Sequence, residues 1–299
     1  MPTPLHNLKG AVLKAPNIVF EGNNHKVIDS RISHHNSSSS KESIMYRVAS
    51  LMSLVLCIVT LLAAGPRPSP HCKPHQPITV TWLGHAAFEV ISYGGTNLLI
   101  DPFITYNPAT PDQRKDLTQY KPSAILVTHN HGDHLGDALE ISKKTGAPII
   151  ITYDQVEELK LENAIGCNIG GTITIGDVTI HVVPATHGTT KDGISFGYVL
   201  TFKDGRSLYH TGDTWINADM VFTQSLYHPD IVLTCAGGGP FTQDPETAAY
   251  EMRTILNPSV IIPMHYGTWP VLATENDVVE AFKNDRRLKI MIPGEPKTF

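Results

Sequence analysis

Ile125-Leu126-Val127-Thr128-His129-Asn130-His131-Gly132-Asp133-His134 is the stretch from which the rest of this chain is read. An apolar run passes directly into a loop carrying three imidazoles and a carboxylate within six residues. A merely solvated loop seldom concentrates these groups straight after a buried strand. Neutral imidazole and carboxylate are the ligands of zinc and similar borderline ions. Gly132 permits the tight backbone path that turns the side chains toward one point. One ion, held at about 2.0–2.2 Å from each ligand, cannot easily take all four from so short a loop. Two adjacent ions can.

Further ligands stand in the same context. His187 follows Val182-Val183-Pro184-Ala185-Thr186, Asp213 follows Ser207-Leu208-Tyr209-His210-Thr211-Gly212, and His265 follows Val260-Ile261-Ile262-Pro263-Met264. Each lies just past an apolar strand, where a rigid sheet presents functional groups. Alone, each would be read as a structural polar residue. Beside the first cluster they read as ligands.

Alternation and turn signals predict strands over 78–82, 87–92 and 97–100, the last two joined by a Tyr93-Gly94-Gly95-Thr96 hairpin. More strands are expected at 124–127, 149–152, 172–175, 178–183, 197–202, 207–210, 231–234, 260–263 and 288–292. Helices are expected over 137–145, 153–163, 244–256 and 275–284. This pattern describes a layered α/β or α+β domain over 78–299, without an evident internal repeat.

The chain before that domain has a different character. Residues 1–44 are polar and aperiodic and read as a disordered extension, with His34-His35 beside Ser37 to Ser40 as a solvated tract. Within 45–65, Arg47 precedes a charge-free apolar run from Val48 to Ala64 that ends at Gly65-Pro66. The run is short for a membrane span and matches the apolar region of a signal peptide, so a signal peptide or a membrane anchor is expected. Export or membrane anchoring follows from either, with a cytoplasmic chain as the alternative. A start at Met45 would bring the run to an N-terminus. Residues 66–77 form a Pro-rich linker. Four widely spaced Cys without a C-x-x-C pair argue against a disulfide framework, although one bridge is left open.

Trp82-Leu83-Gly84-His85-Ala86-Ala87-Phe88, Leu99-Ile100-Asp101-Pro102-Phe103, Tyr209-His210-Thr211-Gly212-Asp213-Thr214 and Pro263-Met264-His265-Tyr266-Gly267-Thr268 add finer texture to the ligand run. Together they resemble the metallo-β-lactamase superfamily, in particular its uncharacterised metal-dependent hydrolases related to L-ascorbate-6-phosphate lactonases. The resemblance spans roughly 78–294 and implies a four-layer αββα sandwich with the site on one edge of its two sheets. It implies that His129, His131 and His187 hold one ion, that Asp133, His134 and His265 hold a second, and that Asp213 bridges them. Asp101 would orient a ligand imidazole, as an alternative to a plain turn Asp before Pro102, and His85 and His210 would be supporting hydrogen-bond partners. One departure is the run Cys235-Ala236-Gly237-Gly238-Gly239-Pro240, where a polar or acidic loop is expected. Its glycines read either as a close approach for substrate or as a flexible connection.

Two such ions lower the pKa of a shared water toward neutrality and polarise the bond attacked. No Ser or Cys nucleophile is needed, and Asp133 can double as ligand and proton acceptor. An ester, lactone, amide or phosphodiester of a small or lipid-like molecule would suit this chemistry. Zinc matches the ligand set, with manganese or iron as the ions that a carboxylate-rich site also accepts. A nuclease on the same scaffold is the first alternative, against which stand the net charge of −5 and the lack of a basic tract. A metal-binding protein without catalysis is the second, and all seven ligand positions count against it.

Overall fold

The computed structural model describes residues 76–190 and 193–299. The expected disordered extension, the apolar run and nearly all of the Pro-rich linker lie outside those residues. Among the described residues no helix is long and apolar enough to cross a membrane.

Two mixed sheets carry the fold. The first has seven strands in the order β13-β1-β2-β3-β4-β5-β6. They are β1 Thr79–Gly84, β2 Ala87–Ile91, β3 Asn97–Ile100, β4 Ala124–Leu126, β5 Ile149–Thr152, β6 Ala164–Cys167 and β13 Pro296–Thr298. The second has six in the order β12-β11-β10-β9-β8-β7. They are β7 Thr172–Ile175, β8 Val178–Pro184, β9 Phe196–Thr201, β10 Ser207–His210, β11 Ile231–Cys235 and β12 Val260–Met264. Each sheet begins antiparallel and ends parallel. β1 through β3 pair antiparallel before β3, β4, β5 and β6 run parallel. β7 through β10 pair antiparallel before β10, β11 and β12 run parallel. The fold thus repeats one topology, and the sequence carries no visible trace of the repeat.

Alternation along the strands builds the layers. Leu83, Leu99, Ile125, Val127, Ile149 and Ile151 face α2 (Ala138–Thr145) and α3 (Tyr153–Glu158), packing with Ala138, Ile141 and Val156. Their neighbours Trp82, Leu98, Ile100, Leu126 and Ile150 join the main core with Ile180, Val182, Tyr198 and Leu200 of the second sheet. Three helices complete that core: α4 (Asp219–Tyr227) through Met220, α5 (Pro245–Glu251) through Ala248 and Ala249, and α6 (Glu275–Ala281) through Val278. The order is helices, sheet, sheet, helices: the αββα sandwich. Strands covered on both faces need apolar residues throughout, hence the unbroken runs in β4, β5, β11 and β12.

Several expectations need correction. Residues 288–292 form no strand and contribute one isolated bridge, Ile261 to Leu288. The helix expected over 153–163 ends at Glu158, where Lys160 turns the chain with a φ of 51° and β6 begins at Ala164. The helix expected over 275–284 stops at Ala281. α4 was not expected, because Val221, Phe222 and Leu226 stand exposed on it and blur the helical period. β6 and β13, two short edge strands, were not expected.

Candidate metal centre

β1, β3, β4, β8, β10, β11 and β12 run the same way within their sheets and end at one edge of the sandwich. At or just past those ends stand His85, Asp101, the run His129 to His134, His187, Asp213, Cys235 and His265. Asp133 and His134 ride on α1 (Gly132–Leu135), a single turn that begins after His131. The Tyr198 hydroxyl crosses between the sheets to the carbonyls of Val127 and Ile150, at 3.0 and 2.9 Å, and fixes β4 just before the ligand run.

The structure brings all seven expected ligands together. His129, His131 and His187 each place a ring nitrogen within 4.8 Å of the others. A carboxylate oxygen of Asp133 and ring nitrogens of His134, His265 and His85 likewise lie within 4.8 Å of one another. Asp213 lies against both groups: its Oδ2 is 3.2 Å from His134 Nε2, 3.0 Å from His265 Nε2 and 3.6 Å from His187 Nε2.

A hydrogen-bond network sets which ring nitrogens face inward. Thr128 donates its backbone N–H to Asp101 Oδ1 and its hydroxyl to Asp101 Oδ2, both at 2.7 Å. With its only proton spent there, Thr128 Oγ1 accepts Nδ1–H of His129 at 3.1 Å. His134 Nδ1–H is likewise given to Asp101 Oδ2 at 2.8 Å. Nε2 of each ring is thereby turned toward the centre, that of His129 lying 2.9 Å from His131 Nδ1. His85 Nε2–H meets Asp133 Oδ2 at 3.0 Å, and His85 Nδ1 meets the Thr268 hydroxyl at 2.9 Å. His210 behaves differently. It donates Nε2–H to Ala86 O and accepts from Gly212 N, so it secures the turn before Asp213 and stays out of the ligand cluster.

The backbone stores strain at the same place. His85, Asp101 and His265 have φ of 53°, 46° and 69°, a region that costs non-glycine residues of order 1–3 kcal/mol each. Asp101 does so directly before Pro102, where backbone freedom is already narrow. The amide of His265 is tied to the carbonyl of His85 at 3.0 Å, coupling two of the strained positions across the sheets.

These residues fit a divalent ion. His134 Nε2 and His265 Nε2 are buried without an aligned hydrogen-bond partner, despite the short distances to Asp213. Atoms this close but unaligned are aimed at a point between them. Left unused, each would carry the full cost of a buried polar group. Protonation is consistent with that set. Burial, reinforced by neighbouring imidazoles, pushes His129 well below the usual range, lowers His187, and takes His85 down to about 4. These rings are neutral at pH 7. Burial also pushes His134 down, but Asp213 and Asp101 outweigh it and hold that ring's proton strongly. A cation at Nε2 would take the proton's place. Burial opposes ionisation of Asp213 and Asp133 too; His134 prevails at the first and the His85 hydrogen bond at the second, so both stay ionised.

Comparison with known proteins matches this geometry to a family. A β-lactamase superfamily domain covers residues 79–265. The chain belongs to the β-lactamase superfamily. Within it, a UPF0173 metal-dependent hydrolase of Methanopyrus kandleri is 40% identical over 231 residues, covering 72% of this chain and 97% of that protein. Another from Koribacter versatilis is 38% identical over 231 residues, covering 74% of this chain and 97% of that one. Among solved structures, the metallo hydrolase Igni18 of Ignicoccus hospitalis is 35% identical with a TM-score of 0.68, over 75% of this chain and 98% of that chain. The protein is therefore a metal-dependent hydrolase with the metallo-β-lactamase fold.

Some neighbours of the hydrolase's centre escaped the sequence reading. Cys235 Sγ lies 3.6 Å from Asp213 Oδ1, and burial holds its thiol well above the usual range. Among the described residues Cys167 and Cys235 are free and buried. A visible signal did exist, because Cys235 ends an apolar strand as the ligands do. Thr128, Thr268 and Trp269 carried no such signal, since their role depends on contacts across the fold.

Proposed function

We propose that the enzyme is a dinuclear hydrolase that cleaves an ester, lactone, amide or phosphodiester bond in a small or lipid-like molecule. In this reading His129, His131 and His187 hold one ion, Asp133, His134 and His265 the other, and Asp213 serves both. The observation that carries it is the position of Asp213 Oδ2, within 3.0–3.6 Å of nitrogens from both groups. Bound divalent ions, zinc before manganese or iron, would activate water and polarise the bond attacked.

The chain's own groups supply the rest. Asp133, ionised and facing the cavity, accepts a proton and passes it on to the leaving group. His85 fixes that carboxylate through Oδ2, and Thr268 fixes His85. Asp101 and Thr128 hold His134 and His129 in the tautomers that direct Nε2 inward. Nucleic acid is not an expected substrate, given the net charge of −5. The apolar run at 48–64 serves export or membrane attachment in this reading, and N-terminal sequencing of protein from its native host tests that. A mature chain starting near Pro66 supports export; a soluble cytosolic chain that retains the run defeats both.

Elemental analysis, followed by assays on ester, lactone and phosphodiester panels, tests the whole reading. About two divalent ions per chain with turnover on one panel is the expected result. A protein that binds no transition metal, even after reconstitution, overturns it.

A further inference from the structure

We propose that this centre selects an uncharged ester or lactone whose apolar group lies against a wall formed by Phe241, Trp269 and Val271. The proposal rests on the hydrolytic reading above and narrows its substrate. A cavity of about 480 Å³ opens over His131, Asp133, His187, Asp213 and His265 and is otherwise lined by those three residues. That volume suits a small molecule. No Lys or Arg is among the lining residues described. Among the described residues, no side chain lining the cavity is a cation that would pair with a phosphate or carboxylate laid against this wall, away from the ion-holding floor. Phe241 is 56% exposed and Val271 52% exposed, apolar surface lying open at the mouth of a polar floor.

The wall is built into the fold. Phe241 ends the Gly-rich loop after β11, and Val271 lies in the loop after β12. Ala273 N donates to Gly237 O at 2.8 Å and clasps the two loops together. A Cβ on Gly237 would stand 2.4 Å from His265 Nδ1, and one on Gly239, whose φ is +62°, would stand 2.6 Å from Val271 O. The glycines therefore let the loop pack against a ligand imidazole and its neighbouring loop. Neither Gly237 nor Gly239 is among the residues lining the cavity. Trp269 sets its ring 4.9 Å from that of His85 at 65° and 6.1 Å from that of Phe103. A chain laid on this wall would hold its carbonyl over the polar floor.

Zinc-loaded protein assayed on γ-lactones and aryl esters of rising alkyl length tests the proposal. Expected is a gain in kcat/KM of about three- to four-fold per methylene until the wall is covered. A carboxylate- or phosphate-bearing ester of matched length should be at least about tenfold poorer. Phe241→Ala and Val271→Ala should flatten the gain per methylene while keeping their metal, and Phe241→Arg should shift preference toward the carboxylate-bearing ester. Calorimetric titration with alkyl hydroxamates of rising length reads the wall without turnover. Hydroxamate affinity that climbs with length, on a protein that hydrolyses nothing, upholds the apolar site and refutes the hydrolytic reading. Turnover that is flat with length, or faster on the anionic ester, keeps the hydrolase and overturns this inference.

Discussion

Asp213 lies against both groups of histidines, and its carboxylate is divided between contacts. Oδ2 faces the nitrogens of His134, His187 and His265, while Oδ1 lies 3.6 Å from the Cys235 thiol. Asp213→Ala should therefore abolish turnover and weaken both ions, read by metal content and activity together. His34→Ala and His35→Ala lie outside the domain and should change neither; equal losses at all three positions would mean that the ligands are misassigned. Asp101 offers a finer test, because it touches His134 and Thr128 but lies outside the ligand groups. Asp101→Asn tolerates the left-handed backbone yet loses the carboxylate, so metal affinity should fall about 10–100-fold in competition with a chelator. Unchanged affinity would reduce Asp101 to a turn residue. The clustered His and Asp residues were legible because chemistry-bearing types followed apolar strands. Cys235 was seen at a strand end but read only as the first residue of a Gly-rich loop, because its contact with Asp213 is made across the fold.

At the scale of elements, the helix after the Gly-rich loop binds that loop to the core through one buried acid. Glu251 of α5 accepts a hydrogen bond from Gln243 Nε2 at 2.8 Å, and the same amide donates to Cys235 O at 3.0 Å. Burial raises the Glu251 carboxyl from 4.5 to about 7. The folded protein thus holds this proton more tightly than the unfolded chain does. The contribution is fully present below pH 4.5, drains away as pH rises to about 7, and stays lost above it. Glu251→Gln should match the native protein in urea unfolding at pH 4.5 and exceed it by up to about 3 kcal/mol at pH 8. An equal gap at both pH values would remove Glu251 as the cause. Helix starts at 244 and 275 were readable from Asp244 before Pro245 and from Thr274, which forms a capping box with Asp277. Helix ends were harder to place, since Lys160 terminates a helix through a backbone conformation that its side chain does not announce.

At the scale of the fold, the proposed ligands divide between the sheets. His129, His131, Asp133 and His134 follow β4 of the first; His187, Asp213 and His265 follow β8, β10 and β12 of the second. Bound ions would therefore staple one sheet to the other at the edge where three residues hold left-handed backbone. A layered α/β domain was legible from strands interspersed with helices, and the layer order came only with the family resemblance; the pairing of sheets was not legible, because it rests on contacts such as Tyr198 to Val127 that no local pattern encodes. Stapling has a thermodynamic consequence. An ion that binds only the folded state at about a thousand times its Kd stabilises it by about 4 kcal/mol. For a domain of this size each kcal/mol moves Tm by about 2–4 °C, so removing one such ion with a chelator should lower Tm by about 8–16 °C, and removing two by about twice that. Readdition of zinc should restore it, and scanning calorimetry with and without chelator checks both. Asp213→Ala should lose most of that difference, since it touches both groups, whereas His131→Ala, on one group, should retain part of it. A Tm indifferent to chelator, in protein shown to carry metal, would mean that the ions sit outside the edge where the two sheets meet.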